Sequence, residues 1–258
     1  MPSEVVGVHS IRSNFSPMFI KPLLQEKGVL HFTLIDPDKQ SPQKAAEVAA
    51  RAEACGSDGI MIGGSTAGYD DTNRTTEAIK ENCKLPTILF PSNTEGISEK
   101  ADYIFWMMLM NSQDRRFLVG EQMKAAPYVK KLGIKTIPMG YIVVSTSARP
   151  TTVESVGDVD RILPEDMDKV VAYALTAQYY GMECIYLEAG SGADLPIPPK
   201  MVNVTKNILE IPVIVGGGIR DPEAARKTVL AGADVVVTGT ISEKDLGMFE
   251  KIVLAVKG

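Results

Sequence analysis

Three groups of residues in this 258-residue chain have the types and spacing to handle a phosphorylated substrate. The first is Gly216-Gly217-Gly218-Ile219-Arg220, joined further on by Gly239-Thr240. Stripped of side chains, such glycines let backbone N–H groups approach a dianion, and Thr240 adds a short hydroxyl donor. Three glycines alone would equally make a tight turn; the second Gly-Thr step favours phosphate. Arg220 either adds charge to that site or simply starts a helix in solvent. The second group is Tyr186-Leu187-Glu188-Ala189-Gly190-Ser191-Gly192. Its glycines and Ser191 offer donors to a phosphate or to substrate hydroxyls. Glu188 is a carboxylate able to accept from a hydroxyl, to act as a general base, or to form a structural salt bridge. Tyr186, two residues earlier, shares its face of a strand and is either core or ligand-facing. The third group is Asp36-Pro37-Asp38, with Ser65 and Thr66 near it. Hard oxygen ligands of this kind suit Mg²⁺, although Asp before Pro is also common turn chemistry.

These residues need a scaffold that brings distant segments to one place. Short runs rich in β-branched residues, each followed by a longer helical stretch, predict parallel strands at Val29–Ile35, Gly59–Ile62, Thr87–Phe90, Tyr103–Leu109, Lys135–Val144, Cys184–Leu187, Pro212–Val215 and Val235–Val237. Several helical stretches end on glycine before the next strand, at Gly56, Gly181 and Gly232. Eight such units predict a closed (β/α)8 barrel, with an open doubly wound sheet as the alternative. In a barrel the residues just after the strands line the active site, and a phosphate commonly sits after strands seven and eight. The glycine motifs fall there, and Asn111-Ser112 and Ser145-Thr146-Ser147 also occupy strand ends.

One unit is short. Only Ser92 to Asp102 separates the third strand from the fourth, less than a crossover helix with its two loops usually needs. Either the helix is small or the helix ring has a gap there. A gap would expose an apolar side of the barrel, a slot for a long greasy substrate. Strand four is rich in methionine, which makes a pliable wall. Phe105, Met107, Leu109 and, on strand five, Tyr141 are candidate wall residues or ordinary core. Alternation sets Phe105, Met107 and Leu109 on one face and Trp106, Met108 and Met110 on the other, without saying which is inside.

Composition excludes several classes. A net charge of −5 provides no basic footprint for nucleic acid. No apolar run approaches a membrane span, and Met1–Val8 lacks the pattern of a signal peptide. Cys55, Cys83 and Cys184 have no paired spacing and read as reduced thiols of a cytoplasmic protein; with His9 and His31 they form no zinc pattern. No linker-like shift interrupts the chain, so residues 1–258 are expected to form one barrel domain with a short N-terminal extension. From the residues alone, a sugar-phosphate isomerase and a non-catalytic phosphate-binding barrel stay open beside a group-transfer enzyme.

Taken together, His31-Phe32-Thr33-Leu34-Ile35-Asp36-Pro37-Asp38-Lys39, Gly63-Gly64-Ser65, Phe90-Pro91, Asn111-Ser112, Tyr186 through Gly192, Val215 through Ile219 and Thr238-Gly239-Thr240 resemble the geranylgeranylglyceryl phosphate synthase family of archaeal ether-lipid enzymes. The likeness runs in barrel order along nearly the whole chain and is greatest to the larger, group II branch. A related bacterial branch has a lysine two residues before the aspartate; Leu34 stands there, so that lysine's phosphate role does not carry over.

The resemblance implies transfer of a geranylgeranyl group from its diphosphate to the 3-hydroxyl of sn-glycerol 1-phosphate with Mg²⁺, and leaves the prenyl chain length open. It also implies a barrel lacking a regular third helix, and a homo-oligomer, often a hexamer. By the same resemblance Asp36 and Ser65 bind the metal. Tyr186, Leu187, Glu188, Ala189, Gly190, Ser191, Gly192, Gly217, Gly218, Gly239 and Thr240 hold glycerol phosphate, and Glu188 is the catalytic candidate, either as general base or only orienting the acceptor hydroxyl.

Overall fold

The computed structural model describes residues 18–64 and 68–258. The expected N-terminal extension and His9 lie outside the described residues. Eight parallel strands close into a barrel in sequence order, each bonded to its neighbours and β1 to β8. They are β1 Leu30–Ile35, β2 Gly59–Ile62, β3 Thr87–Leu89, β4 Tyr103–Leu109, β5 Lys135–Val143, β6 Cys184–Glu188, β7 Val213–Gly216 and β8 Val235–Thr238. Every boundary falls within about one residue of the expectation from β-branched runs. Closure rules out the open sheet.

The helices are α1 Ile20–Lys27, α2 Pro42–Ala54, α3 Tyr69–Asn82, α4 Glu121–Leu132, α5 Thr152–Val156, α6 Met167–Tyr179, α7 Pro199–Ile208, α8 Pro222–Leu230, α9 Thr240–Lys244 and α10 Leu246–Lys257. Start signals are chemical: Ser41, Asp221 and Asp245 each accept a hydrogen bond from a first-turn amide. The glycines expected to stop helices take left-handed φ values, +94° at Gly56, +76° at Gly181 and +106° at Gly232.

Between β3 and β4 there is no α-helix, only a single 3₁₀ turn at Thr94–Gly96. The helix ring is therefore open beside β4. On the far side of β4 a π-helical turn, Arg116–Gly120, leads into α4.

Strand alternation divides the core into layers. Leu30 and Phe32 of β1, Phe105 and Leu109 of β4, Met139 and Tyr141 of β5, Cys184 and Tyr186 of β6, and Val235 and Val237 of β8 pack inside the barrel. Their neighbours, such as Leu187 and Val215, pack outward against the helices. This settles β4: Phe105, Met107 and Leu109 face inward. At the N-terminal end of the barrel α1 forms a plug. Glu183 accepts from the Phe19 and Ile20 amides at 2.5 and 2.6 Å, and Phe19 packs on Tyr103. Cys55, Cys83 and Cys184 are free thiols. His31 is fully buried between Ser57 and Thr238, its pKa pushed down to about 3 by burial, so it stays neutral.

Candidate functional site

The inward face of β6 ends at the open, C-terminal mouth of the barrel, and that places Glu188 there. Cys184, Tyr186 and Glu188 alternate on one face, so the carboxylate stands directly above the packed core. Tyr141 of β5 pairs in register with Tyr186, and the two rings meet edge to face at 5.3 Å. Both hydroxyls hydrogen-bond the Glu188 carboxylate, and its Oε1 accepts from the Gly190 amide at 2.6 Å. No lysine or arginine pairs with it among the described residues, so the salt-bridge reading falls away.

Burial pushes the Glu188 pKa above the ordinary carboxylate range, and its three hydrogen bonds hold back part of that rise. Burial and the nearby carboxylate in turn push both tyrosines well above the usual phenol value. The result is a buried, hydrogen-bonded carboxylate whose pKa lies above its ordinary range, flanked by two neutral hydroxyls.

The triglycine segment serves this group as much as any phosphate. A Cβ on Gly216 would run into the Tyr186 hydroxyl. A Cβ on Gly217, whose φ is +81°, would lie 2.5 Å from Glu188 Oε1. A Cβ on Gly218, whose φ is +69°, would lie equally close to the Leu195 carbonyl. These glycines let the β7 loop close over the β6 loop without displacing the acid.

Around Glu188 the mouth forms a cavity of about 810 Å³. Gly217 and Gly218 on one side, Gly239 and Thr240 on the next, and Ser191 and Gly192 line one part of it. Ser191 and Thr240 bring their hydroxyls within 3.5 Å of each other. Arg220 is exposed at the rim, where it donates to the Gly192 and Ala193 carbonyls at 3.1 and 2.5 Å and so holds the β6 loop.

Two expected site residues contribute no side chain. Leu187 and Ala189 are fully buried in the layer between barrel and helices, because strand alternation turns them away from the mouth. Gly190 acts through its amide on Glu188 rather than by lining the cavity. The hydroxyls and amides at two other strand ends are occupied in holding the frame. Asn111 bonds the Val143 amide and carbonyl, Ser112 donates to the Gly157 carbonyl, and Thr146 donates to the Leu195 carbonyl.

Opposite the glycine corner, Asp36 lines the mouth with its carboxylate bonded to the Asp38 amide at 3.1 Å and to Lys39 Nζ at 2.9 Å. Gly64 backs it: a Cβ there would strike the carboxylate. Glu243 and Lys244 line the same wall; burial raises the Glu243 pKa, Lys39 lowers it and Asp36 adds to the rise. Ser65 and Thr66 lie outside the described residues. Among those described, no three His, Cys, Asp or Glu side chains gather as a metal cage.

A second cavity, of about 120 Å³, opens where the third helix is absent. All four candidate wall residues, Phe105, Met107, Leu109 and Tyr141, line it, with Ile97, Ile104 and Trp106. Phe117 and Ala125, from the π-helical turn and α4, face them. Ser92, Met107, Tyr141 and Val153 line both cavities, so the apolar groove and the polar mouth share a wall beside Glu188.

Tyr141 as a partner of Glu188 was not singled out in the sequence, although its register beside Tyr186 was implicit once β5 and β6 were aligned. Glu243 and Val153 were missed because each comes from a segment remote in sequence from the strand-end residues it joins.

Known proteins share much of this sequence and its fold. The geranylgeranylglyceryl phosphate synthase of Methanobrevibacter smithii is 46% identical over 243 residues, covering 92% of this chain and 95% of that protein. The synthase of Pyrococcus horikoshii is 49% identical over 221 residues, 85% of each chain. Among solved structures, the (S)-3-O-geranylgeranylglyceryl phosphate synthase of Thermoplasma acidophilum in complex with its substrate sn-glycerol-1-phosphate superposes with a TM-score of 0.88. It is 40% identical and covers 94% of this chain and 99% of its own. An N-acetylmannosamine-6-phosphate 2-epimerase from Clostridium perfringens, at 15% identity and TM-score 0.52, shares the fold alone. The PcrB family matches residues 21–257, a span that takes in all eight strands and both cavities. With that span and these relatives, the chain belongs to the PcrB family, the family of the geranylgeranylglyceryl phosphate synthases.

Proposed function

We propose that the chain moves a geranylgeranyl group from its diphosphate to the 3-hydroxyl of sn-glycerol 1-phosphate. The observation that carries this reading is the meeting of two cavities of opposite character at one buried carboxylate. A polar mouth with glycine loops suits the phosphorylated acceptor, and an apolar groove opened by the missing helix suits a prenyl tail. A sugar-phosphate isomerase would have no use for the groove.

In this reading Ser191, Gly192, Gly217, Gly218, Gly239 and Thr240 hold the acceptor's phosphate through amides and hydroxyls. The acceptor's 3-hydroxyl lies against Glu188, oriented by Tyr141 and Tyr186. Its oxygen bonds the allylic carbon as the bond from that carbon to the diphosphate oxygen breaks, and Glu188 takes the proton. Holding both partners at a fixed junction supplies a large share of the rate. Val153 and Met107, at that junction, exclude water from the reacting carbon.

Asp36, with Ser65, is the pair read as holding Mg²⁺. The donor set fits: a carboxylate open to the mouth, with space kept by Gly64, matches a cation that takes one or two carboxylates and otherwise phosphate and water. When bound, Mg²⁺ neutralises charge on a diphosphate leaving group. Lys39 and Lys244 on the same wall add positive charge of their own. The reading includes a cytoplasmic setting and assembly into a homo-oligomer, for which exposed Tyr179, Tyr180, Ile208 and Leu230 at the ends of α6, α7 and α8 offer apolar surface. No helix among the described residues is long and apolar enough to cross a membrane.

The test is transfer of labelled sn-glycerol 1-phosphate into a solvent-extractable product, with prenyl diphosphates of several lengths, with and without Mg²⁺. Mg²⁺-dependent product that is lost in Asp36→Asn is expected. Absence of product with every donor would overturn the reading.

A further inference from the structure

Behind the site lies a buried carboxylate to which the reaction assigns no task. Glu154, in α5, is only 5% exposed. Its Oε2 accepts from the Thr151 amide and hydroxyl at 2.7 and 2.8 Å, and its Oε1 accepts from Ser145 Oγ at 2.5 Å. Arg161 Nε donates to the same Ser145 oxygen at 3.1 Å and stands 3.9 Å from Glu154 Oε1. A capping box explains the Thr151 bonds but not the others. Ser145 lies two residues past the end of β5, so Glu154 fastens the start of α5 to the barrel rim.

Thr151 carries that fastening to the acid. Gly190 has φ +98°, and a Cβ built on it would lie 2.6 Å from Thr151 Oγ1 and 2.7 Å from the rest of that side chain. The loop after β6 therefore rests on Thr151. From the other side of the same glycine, the amide donates to Glu188 Oε1 at 2.6 Å. Two residues along α5 from Thr151, Val153 lines the shared wall of groove and mouth.

We infer that Glu154 is a positioning residue: by pinning Thr151 to the end of β5 it keeps the Gly190 amide on the Glu188 carboxylate and Val153 at the junction. This rests on the transfer reading above. The groups facing Glu188 among the described residues are the Tyr141 and Tyr186 hydroxyls and the Gly190 amide. Of these, only the amide depends on Thr151. Its bond holds the Glu188 pKa down, so loosening it sends that pKa higher.

Glu154→Gln keeps the shape but removes the charge and one acceptor oxygen, so the strong charge-assisted bonds from Ser145 and Thr151 are lost and Ser145 must turn its hydroxyl round to accept instead of donate. The expected result is a fall in kcat of about tenfold, the scale of a small misplacement of reacting groups. KM for sn-glycerol 1-phosphate should change little, and the acid limb of the kcat profile should move to higher pH. Hydrogen exchange at the Gly190 amide should quicken. Thr151→Val, which keeps the bulk under Gly190 but removes the hydroxyl, should reproduce a part of each change, and Thr151→Ser should restore the acid limb. A Glu154→Gln protein that melts earlier, yet keeps the wild-type acid limb and Gly190 exchange, would show a helix cap only and overturn the proposal. A wild-type chain that transfers no prenyl group would instead overturn the functional reading, and Gly190 exchange would still judge the pin.

Discussion

Replacing Glu188 by Gln separates catalysis from stability in a single variant. The side chain keeps its shape, its Oε1 can still accept from Gly190, and its amide can donate to a tyrosine hydroxyl. What disappears is the negative charge and the capacity to take a proton. General-base catalysis is worth about 10²–10⁴ in rate, so kcat should drop by at least about 100-fold, or about 2.7 kcal/mol of barrier. KM for sn-glycerol 1-phosphate should stay within a few-fold, since the phosphate corner is untouched.

Stability should move the other way. Burial raises the folded-state pKa of Glu188 above its unfolded value, so the folded protein binds the proton more tightly than the unfolded chain does. Stability is therefore lost as pH rises from the unfolded pKa through the raised folded one, and the neutral Gln escapes that loss. Steady-state transfer kinetics and thermal melts across pH 4 to pH 8 provide the assay, those limits spanning roughly the carboxylate range and neutrality. The Gln variant should melt above the wild type near neutral pH, with the gap closing in acid. Near-normal kcat would refute the proton-acceptor role, and a Gln variant that melts lower at neutral pH would refute the account of the buried charge.

Two further substitutions examine the surroundings. Gly217→Ala places a Cβ 2.5 Å from Glu188 Oε1 at φ +81°, so it should cost about 1–2 kcal/mol of stability in chemical denaturation and lower kcat at least about tenfold; a silent variant would show that the close approach is not needed. Val156→Trp, at a half-exposed position in the groove wall, should raise KM for a C20 donor about tenfold while a C10 donor is used as before. Equal effects on both donors would place the tail elsewhere.

Much of the architecture was legible because it is written in local chemistry. Short apolar runs, most of them rich in β-branched residues, marked all eight strands, since a pleated, doubly covered strand needs such residues wherever it lies. The short span from Ser92 to Asp102 left either a small helix or a gap, and the structure has only a 3₁₀ turn there. Glu188 and the glycine loops were visible because barrel strand ends are the places where chemistry collects.

What the sequence by itself could not determine depends on approach between distant segments. Gly216 and Gly217 read as openings for a phosphate, but their missing side chains also make room for Tyr186 and Glu188, a contact between adjacent strands. Leu187 and Ala189 sit inside the site motif by number, yet the pleat turns them into the helix layer. Asn111 has the look of a ligand-binding amide and is spent on the backbone of Val143. The meeting of groove and mouth at Met107, Tyr141 and Val153 exists only in three dimensions, because those residues belong to β4, β5 and α5. Local sequence dictates which residues can form strands, turns and polar mouths; which of them touch is decided by closure of the barrel, which fixes strand register and brings the ends together.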